Sequence, residues 1–349
     1  MKDLLYALAT DRKRGLCFAP VKFLLLLLSF LYGIIIRLMM FFSSFDRKRF
    51  NARVISVGNI TIGGTGKTSL VEFIARRFKE RGNKIAIITR GYKRRSFDSL
   101  GDEPSMLLKK LIDIPVIVDK DRVSAIKRAE KEYKSDIVIL DDGMQQWWIK
   151  KDLEIVTIDA VNPFGNRHMI PRGILRQPLR TLSKADIFIL TKTDMAGNLE
   201  FLKRSLDKHN HKALIVESVH HPVGFYHLGE KESIIDKGFI KGKKVALLSG
   251  IGDPDSFFRI ISKLGAKVES ELKFRDHHNY TKAELQIVSE RLKSEGLKTL
   301  IITEKDAARL SKEDADIFEW LDLLVLRIEL RISKNEEEFF SRLFRLYSL

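Results

Sequence analysis

Cysteine is almost absent from this sequence: Cys17 is the only one in 349 residues. An intrachain disulfide is therefore impossible, no Cys/His zinc pattern exists, and a reducing compartment is the natural home. Acidic residues are also outnumbered. Lys plus Arg less Asp plus Glu is 62 − 46 = +16, which suggests an acidic partner: an anionic membrane surface, a phosphorylated substrate or nucleic acid. The basic residues are scattered through helices and not grouped with aromatic platforms, so nucleic acid ranks last. No internal repeat or low-complexity segment stands out. His209, His211, His220 and His221 lack metal-ligand spacing and are expected to be exposed polar residues. With 44% apolar content, the chain suits two globular domains.

What is present centres on residues 53–78, RVISVGNITIGGTGKTSLVEFIARRF. A β-rich run at 54–57 leads into Gly63-Gly64-Thr65-Gly66, then Lys67-Thr68-Ser69. Leu70, Phe73, Ile74 and Phe78 follow at helical spacing. Strand, glycine turn, Lys-Thr and helix form the grammar of a phosphate-binding loop. Glycines let the backbone curl so that several N–H groups face an anion, and the helix N-terminus adds partial positive charge. In that role Gly63, Gly64, Thr65, Gly66, Lys67, Thr68 and Ser69 bind the nucleotide. Lys67 reaches the β- and γ-phosphates and the Thr68 hydroxyl holds Mg²⁺. Thr61 stands where the full pattern has its first glycine.

Apolar runs separated by helical patterns continue to the C-terminus, indicating a parallel sheet covered on both faces. Strands are expected at 84–89, 115–118, 136–140, 153–158 and 186–190, and a second α/β pattern starts at 243. The run DIVILDDG, 136–143, ends an apolar strand in Asp141 and Asp142, placing carboxylates at the sheet edge beside the phosphate loop. There they can hold Mg²⁺ directly or through water. Asp102 in GDEP and His277 in RDHH are candidates for a general base. The expected fold is α/β: a P-loop NTPase-like parallel-sheet domain at 46–240, a second, smaller α/β domain at 241–349, and a membrane-associated N-terminal helix within 1–45.

That helix rests on residues 23–42, FLLLLLSFLYGIIIRLMMFF, of which fourteen are Leu, Ile or Phe. Twenty helical residues span about 30 Å, roughly a bilayer core. The fourteen favour insertion by roughly 4–8 kcal/mol, and Arg37 lies near one end, where it can snorkel. No small-x-small cleavage site follows, so a cleaved signal peptide is a poor fit. Arg12, Lys13, Arg14 and Lys22 precede the run and Arg47, Lys48, Arg49 and Arg53 follow it, so the basic flanks give no orientation. With ATP chemistry confined to the cytoplasm, the choice lies between one span and a helix embedded in the cytoplasmic leaflet. The reading favours the second.

Taken together, the apolar helix, GNITIGGTGKTS, TRGYKRR, GDEP, DDGMQQ, PFGNRHMIPRGILRQPLR and RDHHNYT resemble the tetraacyldisaccharide 4′-kinases of lipid A biosynthesis, in order and over nearly the whole chain. The resemblance implies transfer of the ATP γ-phosphate to the 4′-hydroxyl of tetraacyldisaccharide 1-phosphate, giving lipid IVA, at the cytoplasmic face of the inner membrane. It implies ATP and Mg²⁺ as cofactors. Lys67 and Thr68 would bind phosphate and Mg²⁺, with Asp141, Asp142 and Glu103 at the metal. Asp102 would be the base and His277 its partner, while Tyr92, Arg122, Gln145, Arg172 and Arg176 are candidates for the disaccharide or its phosphate. Gln146 departs from the histidine usual there. Rival readings are a MinD/ParA-like membrane-associated switch ATPase, which would carry lysine where Ile62 stands, and a GTPase, prompted by Thr191-Lys192-Thr193-Asp194.

Overall fold

Short β-branched runs and the helices between them decide the architecture. The structure, a computed structural model, describes residues 11, 18–90, 111, 113–230 and 232–345. These residues fall into two compact units. One holds the chain up to residue 90, residues 111–219 and the chain from 331; the other holds 220–330. The C-terminal segment thus departs from the expected 241–349 domain. Its helix α7 (Glu336–Phe344) packs its phenylalanines against the helix after the glycine loop, α2 (Lys67–Glu80). The Phe73–Phe340 ring centroids are 5.9 Å apart and those of Phe78 and Phe344 5.3 Å apart, contacts that aromatic pairs favour. The border before the second unit falls at 219/220, within the strand β7 (Leu214–His227), and not at 240.

In the first unit the strand order is β7-β6-β5-β1-β4-β2-β3, every pair parallel. Here β1 is Arg53–Gly58, β2 Ile85–Thr89, β3 Val116–Val118, β4 Ile137–Asp141, β5 Leu153–Asp159 and β6 Ile187–Thr191. β1, β2, β4, β5 and β6 are almost wholly buried, as a parallel sheet with both faces covered requires. Registers Val57↔Asp141 and Gly58↔Val156 set the end of β1 between the ends of β4 and β5. Ligand sites of open α/β sheets lie at such carboxyl edges. The β1 and β4 ends meet closely. A Cβ on Gly58 would come within 2.5 Å of the Met144 Cβ, and one on Gly143 within 2.5 Å of Ser56 Oγ. α2 buries Leu70, Val71, Ile74, Ala75 and Phe78; Phe73 is only partly buried, since it faces Phe340.

Helix α1, Ala19–Ser43, begins with a proline in its first turn, where the missing N–H costs nothing. Only Leu25, Ser29, Gly33, Ile36 and Ser43 of it are buried, a single stripe of i+3/i+4 spacing. Phe23, Leu24, Phe30, Leu31, Ile35 and Phe42 are each more than half exposed. Among the described residues this leaves a broad apolar face uncovered, on a helix long and apolar enough to cross a membrane.

The second unit carries the short β8 (Ile235–Asp236), antiparallel to the end of β7, and a parallel sheet in the order β10-β9-β11-β12, with β9 Lys244–Ser249, β10 Lys267–Lys273, β11 Thr299–Thr303 and β12 Asp322–Lys334. Helices α5 (Pro254–Lys263) and α6 (Lys282–Ser294) supply its apolar cover. α6 opens with a reciprocal cap between Thr281 and Glu284, which satisfies two backbone donors at once.

Candidate active site

The glycine turn needs its glycines for backbone reasons. Gly63 has φ +123° and Gly66, the cap of α2, has φ 78°, conformations costly for any residue with a Cβ. Among the described residues, a Cβ added to Gly63 or Gly64 would meet nothing within 4 Å. The first-turn amides of Lys67, Thr68 and Ser69 have no intrahelical partners and sit at the positive end of α2. The turn is held from below: the Thr65 and Thr157 hydroxyls lie 2.7 Å apart, and Thr157 donates to the Gly58 carbonyl at 3.2 Å.

A network of charges adjoins the loop. Lys67 Nζ donates to Asn59 Oδ1 at 3.1 Å and lies 3.6 Å from an Asp142 oxygen. Arg176 meets both Asp142 oxygens at 2.8 Å, a bidentate pair, and also donates to the Asn59 carbonyl and side-chain oxygens. Gln145 Nε2 donates to the same Asn59 carbonyl at 2.9 Å. Lys67, Asp142 and Arg176 side chains remain 17–19% exposed. Burial pushes the Asp142 carboxyl upward, but the Arg176 hydrogen bonds and the Lys67 and Arg176 charges outweigh it and hold it down at about 2. Asp142 stands at φ 54°, a left-handed turn that aspartate tolerates better than most residues. Asp141, at the end of β4, is buried and accepts from Thr89 at 3.2 Å.

The arginine-rich loop is laid against the glycine turn by backbone pairing. Ile62 N–H donates to the Ile174 carbonyl at 2.8 Å, and Arg176 N–H to the Ile60 carbonyl at 2.7 Å. Arg172, expected near the same site, instead places its fork on Asp11 at 3.0–3.1 Å. Arg122 opens helix α3 (Arg122–Tyr133), where it is buried and donates to the Asp119 carbonyl. Tyr92, Asp102 and Glu103 lie outside the described residues. The Thr191-Lys192-Thr193-Asp194 element ends β6, and its Lys192 is buried in an ion pair with Asp159 at 2.5 Å.

His277 belongs to the second unit, at φ 60°. Its N–H donates to the Gly250 carbonyl at 3.0 Å, and Arg309 Nη2 donates to its Nδ1 at 3.4 Å. Because arginine only donates, Nδ1 accepts and Nε2 carries the proton in the neutral ring. Arg309 and Asp306, each 0% exposed, pair at 3.2 Å. Asp306 also accepts from Gly250 N–H, Tyr280 Oη and Thr303 Oγ1 at 2.6–2.9 Å. Burial, with the charge of Asp306, pushes the Tyr280 phenol far up, so it stays a donor.

The residues that sequence reasoning gave no role are Asn59, Asp306 and Arg309. Asn59 had a local signal: a polar residue placed directly after an apolar strand and ahead of the glycines. Asp306 and Arg309, three positions apart, had none, since the Tyr280, His277 and Gly250 contacts that give them a role lie 26–59 positions away.

Strand, glycine loop, helix, acid-ended neighbouring strand and central parallel sheet define a P-loop nucleotide-binding protein. The chain belongs to the tetraacyldisaccharide-1-P 4′-kinase family, whose pattern it matches over residues 21–347. It is 34% identical to the tetraacyldisaccharide 4′-kinase of Halothermothrix orenii, covering 95% of this chain and 94% of that one. Identity to the enzyme of that name from Desulfatibacillum aliphaticivorans is 35%, covering 94% and 92%. The fold is shared with the crystal structure of LpxK from Aquifex aeolicus in complex with ATP, at a TM-score of 0.69 and 23% identity, over 94% of this chain and 99% of that one.

Proposed function

We propose that this chain transfers the γ-phosphate of ATP to the 4′-hydroxyl of tetraacyldisaccharide 1-phosphate, giving lipid IVA, at the cytoplasmic face of the inner membrane. Family membership over nearly the whole length carries this reading and sets aside the switch-ATPase alternative. The glycine-loop amides and Lys67 grip the triphosphate. Arg176, held by Asp142 and Asn59, stands beside Lys67 to spread charge that builds on the transferred group. Asp142 has both oxygens engaged by Arg176, so among the described residues the oxygen donors for Mg²⁺ are Thr68 Oγ1 and the Asp141 carboxylate, to which Glu103 would add its own. Hard oxygen ligands at the edge of a sheet suit that ion. Mg²⁺ would neutralise charge on the β- and γ-phosphates.

The sugar hydroxyl attacks the γ-phosphorus, the bond to the leaving ADP oxygen breaks, and the hydroxyl proton passes to Asp102, with His277 as partner to that carboxylate. The acceptor carries four acyl chains and stays in the lipid surface. The exposed face of α1 and the charge of +16 fit a helix seated in an anionic leaflet, where the enzyme meets its substrate without extracting it. No nucleic acid partner is invoked.

The test incubates γ-labelled ATP with vesicles, the tetraacyl disaccharide 1-phosphate and the full chain, followed by chromatography of the lipid fraction. Label in a product bearing one more phosphate is expected; label released only as inorganic phosphate would overturn the reading. Replacing ATP by GTP checks the Thr191–Asp194 element.

A further inference from the structure

Helix α1 and the glycine turn hold the same short segment of chain. Tyr32 Oη donates to the Arg176 carbonyl at 3.0 Å, and Ser29 Oγ donates to the Met169 carbonyl at 2.7 Å in a buried contact. Met169 and Leu175 pair with one another, as do Leu175 and Thr61. Ile36, Met169, Leu175, Ile60 and Met144 belong to one buried cluster. From the lipid-facing helix to the phosphate-binding charges the route is therefore short: Tyr32, the Arg176 carbonyl, the Arg176 fork, then Asp142 and Asn59 beside Lys67.

We propose that Tyr32 is a positioning residue for phosphoryl transfer, setting the Arg176 fork through the Arg176 carbonyl, so that the seat of α1 in the lipid surface is part of the geometry of the phosphate site. This rests on the kinase reading above. Docking alone does not call for these hydroxyls. Within residues 23–42 the only polar side chains are Ser29, Tyr32 and Arg37, and two of the three meet carbonyls of the arginine-rich loop. Apolar packing by Ile36 and Met40 would hold a helix against that cluster without them. Hydroxyl–carbonyl bonds, unlike apolar contacts, fix register: turning a helix by one residue moves a side chain about 100° around its axis and would lose both.

The experiment measures kcat, KM for ATP and vesicle co-sedimentation for full-length wild type, Tyr32→Phe, Arg176→Lys and the double variant. Tyr32→Phe is expected to lower kcat about three- to tenfold, with KM for ATP within about twofold and sedimentation unchanged. In the Arg176→Lys background the same change is expected to cost nothing further, because the two act as one unit. Losses that multiply, or a loss that follows release from vesicles, would overturn the proposal. If wild type proves to have no transferase activity, the kinase reading fails by itself. The cycle is then read on urea-unfolding midpoints, where coupled losses support the Tyr32–Arg176 link and additive ones refute it.

Discussion

The two units each contain an arginine paired with an aspartate, and the two pairs do opposite things. Arg176 and Asp142 sit in partly exposed positions and share Lys67 and Asn59 beside a glycine loop. Arg309 and Asp306 are sealed, at 0% exposure, with every contact named above made to their own unit. A partly wet pair can trade partners when an anion arrives, because water lowers the cost of each rearrangement. A dry pair cannot: removing either member strands a charge in the interior. The first is suited to binding and chemistry, the second to holding the Gly250 turn in place beside His277 in its left-handed backbone conformation.

This contrast can be broken in several ways. The largest effect is expected at Lys67: Lys67→Ala should lower phosphate transfer about 10²–10³-fold or more while the urea-unfolding curve stays in place. Next, Asp306→Ala should cost about 3–5 kcal/mol of unfolding free energy, measured in urea. Asp142→Ala should cost at most about 2 kcal/mol yet slow turnover at least about tenfold. Equal stability losses at Asp142 and Asp306 would erase the distinction between the two pairs. The smallest effect is in pH. The Asp142 carboxyl is lowered from 3.8 to about 2 in the fold. Its ionised form therefore stabilises the protein above pH ~4, and that contribution, at most about 2 kcal/mol, is lost as pH falls from ~4 to ~2. Asp142→Asn should flatten the unfolding profile across that window; an unchanged profile would remove Asp142 from the charge network.

Much of the first unit was legible because its signals are local. The strands at 54–57, 84–89, 136–140, 153–158 and 186–190 are unbroken apolar runs bounded by turn residues, and each appears within a residue or two of its expected bounds. The glycine loop was legible because spacing alone specifies a phosphate cradle. The long strand at 214–227 was not. Its VESVHHPVGF stretch mixes charge, histidine and proline, which hides a partly buried strand. The return of residues 331–345 to the first unit was equally hidden, since it depends on phenylalanines meeting across some 260 positions. Arg176 was on the sequence's list of substrate candidates, but its fork onto Asp142 could be found only once chain separation became proximity. Arg172 illustrates the converse: the same residue type in the same loop faces a different carboxylate.

The tight packing of Gly58 on Met144 and of Gly143 on Ser56 has a consequence for reading mutant surveys of this enzyme. Neither residue offers a functional group, yet an extra methyl at either would wedge apart the tips of two neighbouring strands, one of which launches the glycine turn while the other delivers Asp141 and Asp142. Alanine at position 58 or 143 should therefore produce an inactive protein with its full chemical complement intact. Inactivity there would report a spacing, set to within the width of one carbon atom, and not a missing reactant.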